Sequence, residues 1–210
     1  MRSLSGGGVG WLRGLWRRAA EEAAHPGSEA VLPVEQALGT LEALVCEGVV
    51  HRPGSAPSAE HARRWEQTGP LPRNAFGRPV QEEVGAGPRG SVAVATGMTL
   101  AGLRATAFVR GEELTATHEA LRNAADRLAP LVVHAANGDA GHAGYHSVSS
   151  AGLIQVLAGS GQQALDLSLV ARWVAERSLV PGLVATDGAA IERLQMPDEE
   201  IGRASCRERV

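Results

Sequence analysis

Between residues 104 and 188 the chain changes its hydrophobic period again and again. Four short apolar runs, RATAFVR (104–110), PLVVHAANG (130–138), LIQVLA (153–158) and PGLVATDG (181–188), have the length of buried strands. Helical stretches lie between them. GEELTATHEALRNAADRLA (111–129) puts its acids in the first turn, where they suit the helix dipole. Residues 162–179 carry Leu165, Leu169, Trp173 and Val174 as an apolar stripe. Upstream, VEQALGTLEALVCE spaces Val34, Leu38, Leu41 and Val45 by three and four residues, Gly48 ends that helix, and Val49–His51 begins a strand. Strands that alternate with helices predict an α/β fold, a parallel sheet flanked by helices. Ser58 is placed to cap a further helix through Gln67, and 68–79 has the Gly and Pro content of a loop. SVAVATGMTLA (91–101) fits a strand or a helix equally on local pattern.

Composition narrows the chemistry. Hydrophobic residues make up 44% of the 210, but aromatics only 3%, so the core must pack small side chains closely. No apolar run approaches the length of a membrane span. Residues 1–30 contain Trp11, Trp16, Arg13, Arg17 and Arg18 but no apolar block ahead of a small-residue cleavage site, which predicts a flexible or helical arm and a cytoplasmic protein. The last ten residues, IGRASCRERV, match one reading frame of a common sequencing adapter, so 201–210 is expected to be a non-native tail and 31–200 a truncated domain. Without that tail the chain loses three arginines and one glutamate and becomes more acidic than its net −3, which disfavours nucleic acid as a partner. Cys46 is then the single cysteine, so no intrachain disulfide or cysteine-bound cluster is expected. The absence of lysine excludes a P-loop, a lysine Schiff base and a Ser-Lys nucleophile pair; a G-x-S-x-G elbow is missing too.

Four local features are candidates for a site. GAGPRG (85–90) has the form of a dinucleotide-binding turn with an acidic residue about 20 positions on, but GRPVQEE rather than an apolar strand precedes it. That makes NAD(P) binding the weakest of three readings. His142, His146 and Asp139 are metal-ligand types in a Gly-rich segment; a surface loop, or a histidine that meets substrate, is the preferred reading, and no metal is assigned. His134, inside an apolar strand, is expected to be a core histidine bonded to backbone. Glu82 and Glu83 are either a solvated turn or a carboxylate aimed at a cofactor.

Several segments, in order, resemble one family. VEQALGTLEALVCEGVVHRPGSAPSAE is similar to the start of 2-oxoacid:ferredoxin oxidoreductases, where a helix leads to a strand and a PGTPSSE-like loop. QEEVGAG resembles their SEAG element. HEALRNAADRLAPLVVHAANG resembles the helix and strand ahead of the substrate loop. GHAGYHSVSSAGLIQVLAGSGQQALDLSLVARWVAE and PGLVATDGA resemble the stretch from DH-x-D to DGF. The likeness runs over about residues 34–195 and lies in the collinear order rather than in any one motif.

The resemblance implies a thiamine-diphosphate fold, with this chain as the pyrimidine-binding domain. In such domains a glutamate bonds N1′ of the aminopyrimidine and favours the imino tautomer that deprotonates thiazolium C2. Matching SEAG to EEVG puts that glutamate at Glu83, beside Gly85, and leaves Glu82 as a solvated or helix-capping residue. It also makes 84–101 a helix. Ser55, Ala56, Asn137 and His142 fall on the substrate side. The diphosphate site with its Mg2+, and the iron–sulfur clusters, belong to another domain or subunit; ferredoxin or flavodoxin is the electron acceptor, and the enzyme is a dimer. The chain departs from the pattern at Ala56 for a threonine, at Gly138 for an arginine that binds the substrate carboxylate, at Gly141 and Gly144 for two aspartates, and at Ala189 for the Phe of DGF. Losing the arginine removes a charge-assisted bond, which argues against pyruvate. The expected function is therefore part of a 2-oxoacid oxidoreductase, inactive by itself, with a non-catalytic scaffold of the same fold as the alternative.

Overall fold

The computed structural model of the protein describes residues 28–51, 73–137, 141–187 and 191–198. The chain forms the expected parallel sheet flanked by helices. In chain order the elements are β1 (Ser28–Pro33), α1 (Val34–Val45), β2 (Gly48–His51), β3 (Gln81–Val84), α2 (Gly87–Leu100), β4 (Ala105–Arg110), α3 (Leu114–Asp126), β5 (Val132–Asn137), α4 (Ala143–Ser147), β6 (Ile154–Ala158), α5 (Gly161–Ser178), β7 (Gly182–Asp187) and β8 (Ile191–Met196). Single 3-10 turns at Gly111–Glu113 and Ser149–Ala151 precede α3 and β6.

Six strands make the main sheet in the order β3-β2-β4-β5-β7-β6, and every pairing in it is parallel. Alternation along the strands sends successive side chains to opposite faces. Val50, Ala107, Val133 and Leu183 meet α2 and α3 on one face. Val49 and Phe108 meet α1 and α5 on the other, where Val132 and Val184 pack on Ala171. The central strands are apolar on both faces because both are covered. β1 and β8 form a separate antiparallel ribbon whose Leu194 and Met196 join the core beside α1 and α5.

The low aromatic content has its counterpart in the helices. α5 buries Ala164, Leu165, Ser168, Ala171, Arg172 and Ala175. The stripe expected there is therefore shifted: Trp173 is half exposed, with Arg177 stacked 4.4 Å over its ring. Small side chains let α5 lie close on the sheet, and a tryptophan at that interface would hold it off. Of the helix expected over 84–101, Gly87–Leu100 forms α2, where Val92 and Ala95 are fully buried, but Val84 ends β3, Gly85 and Ala86 make the turn, and Ala101 caps the helix. β3, β1 and β8 have no sequence signature of buried strands. β3 is the four-residue edge QEEV with no buried side chain, and the ribbon is half exposed. The expected helix from Ser58 to Gln67 lies outside the described residues, as does the 201–210 tail. No helix among the described residues is long and apolar enough to cross a membrane.

The two ends of the sheet differ in kind. At the N-terminal ends of β2 and β4 the groups are locked together. Glu47 accepts from the Arg104 amide at 2.9 Å and from Arg78 Nη1 at 2.6 Å, and Arg104 makes two bonds to Glu176 at 2.5 and 3.0 Å. Asn74 ties the 73–79 turn down: its Nδ2 donates to Cys46 O at 3.1 Å, and its Oδ1 accepts from the amides of Phe76 and Arg78. The carboxyl ends hold polar side chains with fewer structural duties, which is where ligands of open parallel sheets bind.

Candidate functional site

Five strand ends bring the candidate residues to one edge of the sheet. His51 closes β2, Val84 and Gly85 close β3, Arg110 closes β4, Asn137 closes β5 and Asp187 closes β7. Register places Val50 beside Glu83, Arg110 beside Ala136, and Asn137 beside Asp187.

Glu82 and Glu83 part company on β3. Alternation puts Glu82 on the face of Val49 and His51, and Glu83 on the face of Val50, toward α2. Glu82 is turned inward rather than solvated: its Oε1 bonds Nε2 of His51, whose side chain is 3% exposed. A carboxylate only accepts, so this contact puts the ring proton on Nε2. Glu83 is exposed. Two residues on, Gly85 crosses α2 so closely that a Cβ there would lie 2.6 Å from Ser91 Cα. Gly87 opens α2 at φ +83, in the left-handed region, with Pro88 in the first turn. GAGPRG is thus a strand–turn–helix joint. The strand it follows is an exposed edge rather than the buried central strand of a dinucleotide site.

At the centre, Asn137 is 2% exposed, yet neither Nδ2 nor Oδ1 has a hydrogen-bond partner among the described residues. Gly111 backs it: a Cβ there would lie 2.9 Å from Asn137 Cα. Gly144 packs in turn on Gly111, since its own Cβ would meet Gly111 C at 2.9 Å. Gly144, where the resemblance leads one to expect an aspartate, therefore has a steric use. A buried amide with unused donors and acceptors is costly and calls for a ligand or water.

His142 starts α4, and its Nε2 lies 2.5 Å from Oδ1 of Asp187 at the end of β7. The pair joins the β5–α4 and β7–β8 connections and again directs the proton to Nε2. His146 packs edge-on against Tyr145. Asp139 lies outside the described residues, among which no group of three or more His, Cys, Asp or Glu could hold a metal ion. Glu35, in the first turn of α1, has its carboxyl pushed up by burial, with Arg110 pulling the other way. Two amides at the N-terminus of α5 are taken, since Ser160 Oγ accepts from Gln163 N and Glu192 Oε2 from Gly161 N.

Ser55, Ala56 and Gly138 lie outside the described residues. Glu83, Gly85, Asn137 and His142 all lie at the carboxyl edge, but at different strands: Glu83 and Gly85 at the β3 end, Asn137 and His142 near β5 and β7. Sequence reasoning missed Asp187 as the partner of His142 and His51 as the partner of Glu82. A His and a carboxylate 31 or 45 residues apart give no spacing signal; each did end a strand, which was the available clue. His134 is a core histidine, but its Nε2 bonds Glu42 Oε1 at 2.8 Å rather than backbone, and its ring stacks on Phe108.

No protein-family model matches the chain, and no curated protein does. Among solved structures, it is similar to the 2-oxoglutarate:ferredoxin oxidoreductase from Magnetococcus marinus with 2-oxoglutarate, coenzyme A and succinyl-CoA bound, with a TM-score of 0.66 at 17% identity. The match covers 84% of this chain and 33% of that one, so this chain spans about a third of its neighbour's length. The described α/β sheet is thus a fold that a 2-oxoacid:ferredoxin oxidoreductase also uses.

Proposed function

We propose that the chain is the pyrimidine-binding domain of a thiamine-diphosphate-dependent 2-oxoacid:ferredoxin oxidoreductase. The observation that carries this is Glu83: an exposed carboxylate at the carboxyl end of a parallel sheet, two residues before a glycine that no other residue can replace without a clash, on a fold shared with such an enzyme. These residues fit an aminopyrimidine. Glu83 can hold a proton against a ring nitrogen, and Gly85 keeps side-chain atoms out of the turn beside it. Bound thiamine diphosphate supplies an electron sink for 2-oxoacid decarboxylation.

The remaining residues take the substrate side. Asn137 offers a buried amide with both donors and acceptors unused, suited to a ligand oxygen. His142, its proton directed to Nε2 by Asp187, presents Nδ1 as the acceptor of the neutral ring. Ser55 and Ala56, four and five positions after His51 in the sequence, are assigned to the substrate side by the family resemblance alone. Without an arginine at Gly138, the reading favours a 2-oxoacid other than pyruvate. The diphosphate-binding domain with its Mg2+, the iron–sulfur clusters and the contact with ferredoxin or flavodoxin belong to other parts of a cytoplasmic, dimeric enzyme, and this chain by itself is inactive.

Titration of thiamine diphosphate into the assembled enzyme tests the reading. Glu83→Gln is expected to weaken binding by roughly tenfold or more, the value of one charge-assisted hydrogen bond. Binding that does not change would remove the assignment. No binding by the assembled wild-type protein would favour the non-catalytic scaffold, the reading that Ala56 and Gly138 support. Saturable NAD(P) binding by the chain alone would favour the GAGPRG turn.

A further inference from the structure

We infer that His51 is the positioning residue for Glu83: it grips the edge strand on both sides of that glutamate. Among the described residues the strand β3 has only β2 as a neighbour, spans four residues, and buries none of them. Nothing apolar on β3 holds it to the sheet. Two contacts from His51 bracket Glu83 instead. One residue before it, the Glu82 carboxylate bonds the His51 ring. Two residues after it, the Gly85 amide donates to the His51 carbonyl at 3.0 Å.

The ring contact also decides which glutamate is offered. Adjacent residues of a strand face opposite ways, so one of Glu82 and Glu83 must turn toward the α1 and α5 face. Val49 and Phe108 lie on that face, and an unpaired buried carboxylate is costly. His51 supplies a partner with 3% exposure, while Glu82 itself is 15% exposed. Glu82 is accepted inward, and Glu83 is committed to the side of α2, where it is exposed. The catalytic meaning of this placement rests on the proposed role of Glu83; the mechanical part does not.

Amide hydrogen exchange on the full chain tests the grip. His51→Leu should speed exchange of the β3 amides by roughly tenfold or more, the loss expected for one side-chain hydrogen bond, while β5 and β7 stay as they are. His51→Gln, which can still bond Glu82, should stay within about threefold of the wild type. Unchanged β3 exchange in His51→Leu, or an equal rise throughout the sheet, overturns the inference. Should His51→Leu not fold, Glu82→Leu removes the same contact and is measured in its place.

In the assembled enzyme, His51→Leu should lower kcat with the oxoacid KM within about twofold, and His51→Gln should restore kcat, because a displaced base slows chemistry without touching substrate contacts. If the proposed function is wrong, the wild type shows no thiamine-dependent turnover, while the exchange result stands by itself.

Discussion

Glu42 carries its charge where water does not reach, and three side chains hold it there. Arg172 Nη2 and His134 Nε2 bond its two oxygens, and the Cys46 thiol donates to Oε2 at 3.0 Å. All four residues are at most 2% exposed. Burial pushes the Glu42 carboxyl up, but Arg172 and His134 outweigh it and leave the group at about 2, below its ordinary 4.5. A value depressed in the folded state adds stability above the unfolded-state value and loses it as pH falls toward the folded one. The urea midpoint should therefore fall from about pH 4.5 toward pH 2, and Glu42→Gln should flatten that fall. At neutral pH the same variant leaves Arg172 buried with a weakened partner and should cost about 3–5 kcal/mol by urea unfolding. This network was illegible in the sequence. Glu42 and Arg172 are 130 residues apart, and each sits in a helix whose period marks the position as inward-facing without saying that a charge there is paired. His134 was legible as a core residue, because its strand is apolar throughout, but its partner was not.

Elements with a strong period were readable, and those held by joints were not. α1, α3, α5 and the strands β4 to β7 follow from their apolar spacing. α2 was ambiguous locally because Ala, Val, Gly and Thr fit either structure, and the family resemblance resolved it. β3 was missed because an edge strand that buries nothing leaves no alternation to see. β3 is a strand through its parallel ladder with β2, and it runs into α2 at Gly85, which permits close passage over Ser91. Gly85→Ala should force that crossing apart and cost about 1–3 kcal/mol, seen as a lowered Tm. The loss should be recovered little by Ser91→Gly, since the clash is with the Ser91 main chain as well as its side chain. Of the candidate site, the glutamate and the glycine were legible because they are neighbours in sequence. The His51–Glu82 and His142–Asp187 pairs were not, because parallel crossovers bring together residues far apart along the chain.

At the scale of the whole molecule the sheet has two unequal edges. β3 bears two carboxylates, which blunt an edge against strand pairing; β6, IQVLA, bears no charge, and Leu157 is 39% exposed. For the chain alone, Leu157→Lys is expected to reduce concentration-dependent light scattering, and an unchanged profile would show that β6 is not the adhesive edge. The sheet also has two unequal ends, one tied by Glu47, Arg104 and Glu176, the other presenting Glu83, Asn137 and His142. On the proposed function, that second end is half a site, and the rest of an enzyme would complete it.

The most direct measurement compares the two adjacent glutamates in the assembled enzyme by 2-oxoacid-dependent reduction of ferredoxin. Glu83→Gln should lower kcat by about 100-fold or more, the usual range for a lost proton-transfer group, with the fold intact by circular dichroism. Glu82→Gln, which keeps a group that His51 can bond, should stay within about tenfold of the wild type. Full turnover in Glu83→Gln, or a larger loss in Glu82→Gln, would contradict the assignment of Glu83 as the cofactor's glutamate.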